Sequence, residues 1–172
     1  MAKIGLFYGS TTGNTERVAG LIKDAFDEFE ADVVAVFNVA EASIEDMKGF
    51  DYLILGIPTW YEGELQDDWD EFLPNMDDLD LSGKKVAVFG LGDQEAYPDT
   101  FVDGLGILAN KVKERGGQLV GSWPLEGYEF NASLAVESDR FMGLVIDVDN
   151  QDDLTEERVK TWVNQIKGEF GL

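Results

Sequence analysis

The chain has 172 residues, 44% of them hydrophobic, and carries 35 acidic against 13 basic residues, a formal charge of -22. Length and apolar content suit one folded unit spanning 1–172 with a substantial core. The charge makes nucleic acid and anionic membrane poor partners and a basic protein surface a natural one. Cys and His are both absent, which excludes Cys–His and Ser–His–Asp nucleophilic sites, Cys/His zinc sites, and His- or Cys-ligated haem and iron–sulfur centres.

The N-terminus opens on a strand, predicted over 3–8, and has no signal-peptide pattern, so a cytoplasmic protein is expected. The apolar runs are too short to span a bilayer. Gly9-Ser10-Thr11-Thr12-Gly13-Asn14-Thr15 follows. A helix comes next, with Val18, Leu21, Ile22, Ala25, Phe26 and Phe29 at offsets 0, 3, 4, 7, 8 and 11, one continuous face. Further strands are predicted over 32–37, 52–56, 85–89 and 118–123, their continuous apolar character suiting burial on both faces. Two short helices are expected, at 43–46 and just before Trp69. A longer one carries Phe101, Leu105, Leu108 and Val112. The last carries Val159, Trp162, Val163, Ile166 and Phe170, with Thr155 as its N-cap. Segment 124–140 has no clear period, and an apolar run at 144–148 follows. The pattern reads as an insertion, about 124–143, that interrupts the fifth strand. Alternating strands and helices imply an α/β fold, a doubly wound five-stranded parallel sheet with helices on both faces. Ligands of such sheets sit beyond the C-terminal strand ends.

Three loops fall at that edge. The first, Ser10 to Thr15, holds hydroxyls, an amide and Gly13 but no Lys or Arg. A helix N-terminus with its unpaired N–H groups can bind an anion without a formal cation; the alternative is a polar turn that merely caps the helix. It is neither a Walker P-loop nor a dinucleotide fingerprint. The nearest such pattern, Gly104-Leu105-Gly106, falls inside a helix and reads as coincidence. The second loop, Pro58-Thr59-Trp60-Tyr61-Glu62-Gly63, offers aromatics that could stack on a flat ring, or a Trp that folds back into the core. The third, Gly90-Leu91-Gly92-Asp93-Gln94-Glu95-Ala96-Tyr97, lets backbone approach a ligand and offers a second aromatic face, or is a plain turn before a helix.

Together the phosphate-type loop, Thr-Trp in the second loop and Gly-x-Gly-Asp-Gln-x-x-Tyr in the third resemble flavodoxin. The likeness runs the whole chain. It includes the split fifth strand of the long-chain members and the ending Asp147-Val148-Asp149-Asn150-Gln151. The resemblance implies the flavodoxin-like strand order 2-1-3-4-5, bound FMN, and a low-potential one-electron carrier rather than a self-contained enzyme. It implies that Ser10, Thr11, Thr12, Gly13, Asn14 and Thr15 hold the phosphate and that Thr59, after Pro58, and Asp149 reach the ribityl chain. Trp60 and Tyr97 would cover the two ring faces, and Leu91, Gly92 and Asp93 would address the pyrimidine edge. The Tyr61–Glu62 peptide, before Gly63, would meet flavin N5; neither of its residues is Gly, so a peptide flip there carries strain. The implied partners are basic redox proteins: an NADP-linked reductase, a photosystem, nitrogenase or a similar acceptor. The charge favours a monomer.

Carboxylates in and after these loops would oppose added negative charge on the ring, each by roughly 0.5 kcal/mol at ~12 Å in water-like surroundings. A receiver domain of the same strand order is disfavoured, because strand one ends in Phe7-Tyr8-Gly9-Ser10 rather than paired acids. A quinone-reducing FMN enzyme remains a rival on fold analogy alone.

Overall fold

The computed structural model describes residues 2–172. In chain order, β1 (Ile4–Tyr8) leads into α1 (Asn14–Asp27), then β2 (Val34–Asn38) and α2 (Ile44–Lys48). Next come β3 (Tyr52–Trp60), β4 (Glu64–Leu65), α3 (Asp67–Phe72) and β5 (Lys85–Leu91). The second half holds α4 (Asp103–Glu114), β6 (Gln118–Val120), β7 (Trp123–Pro124), β8 (Val136–Glu137) and β9 (Arg140–Phe141). The chain finishes with β10 (Leu144–Ile146), α5 (Val148–Gln151) and α6 (Thr155–Phe170).

The main sheet runs β2-β1-β3-β5 in parallel, and both β6 and β10 pair in parallel with β5. This is the expected doubly wound order, with the fifth position shared by two half-strands. Lys85, Val86 and Ala87 face Gln118, Leu119 and Val120, whereas Phe89, Gly90 and Leu91 face Leu144, Val145 and Ile146. Between the halves, Gly143 packs on the backbone of β5. A Cβ there would lie 1.9 Å from the Val88 carbonyl oxygen.

The insertion is wider than the sequence pattern implied, from Gly121 to Gly143. Trp123 belongs not to the fifth strand but to a small antiparallel sheet, β7-β9-β8. Phe101, Tyr128, Phe130 and Phe141 form the aromatic cluster under it. The Gly104/Gly106 pattern also gains a physical reason. A Cβ on Gly106 would come within 2.3 Å of the Leu134 carbonyl oxygen, and one on Gly104 within 3.0 Å of Thr59 Oγ1. These glycines let the insertion and the second loop lie directly on α4.

β1 is buried at every position, as the interior strand of a sheet covered on both faces must be. α1 buries Val18, Ile22 and Phe26 and α6 buries Val159, Trp162, Val163, Ile166 and Phe170, so both apolar stripes face the sheet. Several boundaries differ from expectation. α1 stops at Asp27, leaving Phe29 beyond the helix and 48% exposed beneath the Lys167 ammonium. β2 starts at Val34 because Asp32 turns in the left-handed region. β3 extends to Trp60 because Thr59 and Trp60 pair with β4. Thr155 is the first residue of α6 rather than its cap; a 3-10 turn, Asp152–Leu154, runs straight into the helix. The second short helix encloses Trp69 instead of preceding it. Among the described residues, no helix is long and apolar enough to cross a membrane.

Candidate functional site

A cleft of about 370 Å³ opens where β1, β3 and β5 end. Ser10, Thr11, Thr12, Asn14 and Thr15 form one wall and Pro58, Thr59, Trp60 and Tyr61 a second. Leu91, Gly92, Asp93, Tyr97, Val148 and Asp149 form the third. The three loops thus meet at one place. Val148 is an addition that sequence reading missed. Gly13, Glu62 and Gly63 lie outside the wall: Gly13 is the N-cap of α1, and Glu62 and Gly63 sit in the β3–β4 turn.

The first loop is shaped by its backbone. Gly13 has φ 92°, a left-handed conformation that glycine adopts without steric cost. Its N–H donates to Ser10 Oγ at 3.1 Å, closing the loop over the start of α1. Thr11 Oγ1 accepts from Gln66 Nε2 at 3.1 Å. Each hydroxyl oxygen therefore has one lone pair occupied from within the protein, and its own proton is left to donate outward. The first turn of α1 adds unpaired N–H groups. Among the described residues, no Lys or Arg lines the cleft; Arg17, one turn into α1, is paired with Asp152. The loop presents neutral donors, and no cation, to the cleft.

The second loop is a tight hairpin turn. Trp60 pairs with Glu64, and Tyr61 takes φ 46° while remaining 61% exposed. A bulky residue in the left-handed region stores strain at the tip. Trp60 and Tyr61 meet edge to face at 6.1 Å. Trp60 is half-buried in the cleft wall rather than folded into the core. Thr59 Oγ1 accepts the Gly104 N–H at 2.9 Å, tying the loop to the start of α4.

The third loop hangs from buried acceptors. Burial pushes the Asp93 carboxyl up, but hydrogen bonds from the Ala96 and Glu95 N–H groups and from Asn150 outweigh it and hold it below its ordinary range. Asp147 is fully buried and accepts from the backbone and side-chain N–H groups of both Gln94 and Asn150. Asp149, on the cleft wall, is pushed up by burial and then by the charges of Asp93 and Asp147. Sequence reading assigned no role to Asp147, Gln94, Asn150 or Gln66. The available signal for Asp147 was a carboxylate directly after the apolar run Leu144–Ile146.

A parallel sheet in this order, with a loop of neutral donors, two aromatics and a glycine-rich loop converging at its carboxyl edge, defines a nucleotide-binding α/β protein of flavodoxin-like architecture. The flavodoxin family profile matches residues 6–162. Flavodoxin of Nostoc sp. PCC 7120 is 52% identical over 170 residues, covering 99% of this chain and 98% of that one. Flavodoxin of Synechococcus elongatus is 51% identical over 172 residues, covering all of both. The crystal structure of Fusobacterium nucleatum flavodoxin bound to flavin mononucleotide superposes with a TM-score of 0.92 at 33% identity, covering 99% of each chain. The chain belongs to the flavodoxin family.

Proposed function

We propose that this chain is an electron carrier that holds FMN in the three-loop cleft, with the phosphate seated on Ser10–Thr15 and the ring between Trp60 and Tyr97. The donor set fits the group. A phosphate monoester needs several convergent donors, and the first loop supplies hydroxyls and helix N–H groups. A flat ring needs a slot with aromatic walls, and the cleft volume lies in the range of small-molecule sites. FMN, when bound, supplies the one-electron chemistry; the protein holds, shields and tunes it. Thr59 and Asp149 would hold the ribityl chain. The backbone of Gly92 and Asp93, beside Leu91, would hold the pyrimidine edge, and the Tyr61–Glu62 peptide would be the one to bond N5. Asp93 and Asp149 on the third wall, with Asp147 buried behind them, set negative charge beside the site that opposes the gain of more, so the carrier is tuned toward low potential.

The carrier works in the cytoplasm as a monomer, between a basic reductase or photosystem and a basic-faced acceptor. One observation carries the reading: a neutral anion cradle and an aromatic slot share one cleft in a chain of charge -22. The test is stopped-flow electron transfer from a basic NADP-linked reductase to the FMN-loaded protein as salt is raised. The rate should fall steeply with ionic strength. A rate that is flat or rises from low salt overturns electrostatic docking.

A further inference from the structure

Gln66 is fully buried and joins the first loop to the start of α3. It follows β4 and caps α3, accepting the Trp69 N–H at Oε1 at 3.3 Å. Its amide nitrogen donates to Asp68 Oδ2 at 2.7 Å and to Thr11 Oγ1 at 3.1 Å. Two of these partners fix the orientation of the amide. A backbone N–H can only donate, so the atom it meets is the amide oxygen. An ionised carboxylate can only accept, so the atom it meets is the amide nitrogen. The second amide hydrogen then points at Thr11, which must accept it. The Thr11 proton cannot point back at Gln66, and the open side of Thr11 is the cleft. Gly9 keeps this arrangement close-packed: a Cβ there would sit 2.4 Å from Gln66 Oε1 and 2.6 Å from Trp69 Cδ1.

We propose that Gln66 is a positioning residue for phosphate recognition: its buried amide fixes the polarity of the Thr11 hydroxyl, so that this group reaches the cleft as a donor. The inference rests on the FMN reading above and deepens it. A free hydroxyl must be ordered when the anion arrives; one whose oxygen already accepts from behind has fewer orientations to lose, and its proton is turned away from Gln66. The effect is confined to the phosphate end, since the contact is with Thr11 alone in that loop.

The discriminating comparison is FMN against riboflavin, which has the same ring and ribityl chain without the phosphate. Dissociation constants of both are measured for the wild-type apoprotein and for Gln66→Met, which keeps the volume but removes the amide. FMN binding should weaken about fivefold to tenfold, the scale of one ordinary hydrogen bond, with riboflavin binding unchanged. In a Thr11→Val background Gln66→Met should cause no further loss of FMN. Equal weakening of both flavins, or no change in either, overturns the inference while leaving the electron-carrier reading intact. A wild-type chain that binds neither flavin overturns both. A readout independent of how the variant folds is the Gln66 side-chain amide resonance of the wild-type protein. It should shift on addition of FMN and stay in place on addition of riboflavin; the same shift with both flavins overturns the proposal.

Discussion

Thr59 and Gly104 are joined by a 2.9 Å hydrogen bond in which the helix N–H donates to the threonine hydroxyl oxygen. The bond does at long range what an N-cap does locally: it satisfies one of the orphan donors at the start of α4 with a side chain from the ligand-facing loop. Thr59→Val should lower the unfolding free energy of the apoprotein by about 1 kcal/mol, and Thr59→Ser should restore it. Urea denaturation of the three proteins gives the comparison, and equal midpoints would show that the α4 terminus does not depend on this hydroxyl.

Trp60 sits at the cleft wall, half-buried, and makes its aromatic contact with Tyr61 rather than with the core. Trp60→Ala should therefore leave the apoprotein fold intact and weaken flavin binding by about 1–3 kcal/mol, the scale of stacking between an aromatic side chain and a planar base. The midpoint potential should move as well, because one ring face becomes solvated. Circular dichroism and a flavin titration on the same sample separate the two effects; unchanged affinity and potential would mean the ring does not lie against this side chain.

Gly143 marks the point where the fifth strand resumes after the insertion. A Cβ there would overlap the Val88 carbonyl oxygen, and backbone in a sheet interior has little freedom to yield. Gly143→Ala should destabilise the protein by about 3 kcal/mol, the upper end for overpacking. Thermal unfolding checks this, and a change within a few tenths of a kcal/mol (about the noise of distant, independent sites) would place the strand junction elsewhere.

Asp103, at the first turn of α4, is held above its ordinary carboxylate range by burial, against the opposing hydrogen bond from the Leu134 N–H. The sign follows from linkage. Above the raised folded value both states are ionised, and the fold carries the full cost of a buried charge. Below the ordinary value both are protonated and the cost is gone. Asp103→Asn, which keeps an acceptor for Leu134, should stabilise the apoprotein at pH 7, and the gain should fade as pH drops through the carboxylate range. Denaturant midpoints across that range are the measurement; a gain that persists in acid would contradict the assignment.

How far the sequence announced this structure depends on the kind of interaction. Periodicity located the helices and buried strands because each element's own residues encode it, as in the α6 stripe from Val159 to Phe170. Element ends were less legible. Whether β3 stops at Gly56 or continues to Trp60 is decided by its partners, β5 opposite Ile57 and Pro58 and β4 opposite Thr59 and Trp60, and nothing within the strand reports them. The three loops were visible as motifs, and their convergence followed from the topology rule for open sheets. The residues that hold the loops in place were not visible. Gln66 looks like an ordinary polar position, and Gln94 and Asp147 stand in the motifs without a role of their own; only the contacts with Thr11, Glu129 and Asn150 show what they support. The width of the insertion was hidden for the same reason: Trp123 has the composition of a strand residue in either sheet, and its pairing with Phe141 decides which.

The quantity that bears on the whole account is the binding of FMN to wild-type apoprotein, followed by quenching of flavin fluorescence and by the visible band that survives desalting. A ring seated between Trp60 and Tyr97 with its phosphate on Ser10–Thr15 should give saturation at one equivalent, strong quenching, and a yellow protein after the column. Undiminished fluorescence and a colourless protein would contradict it.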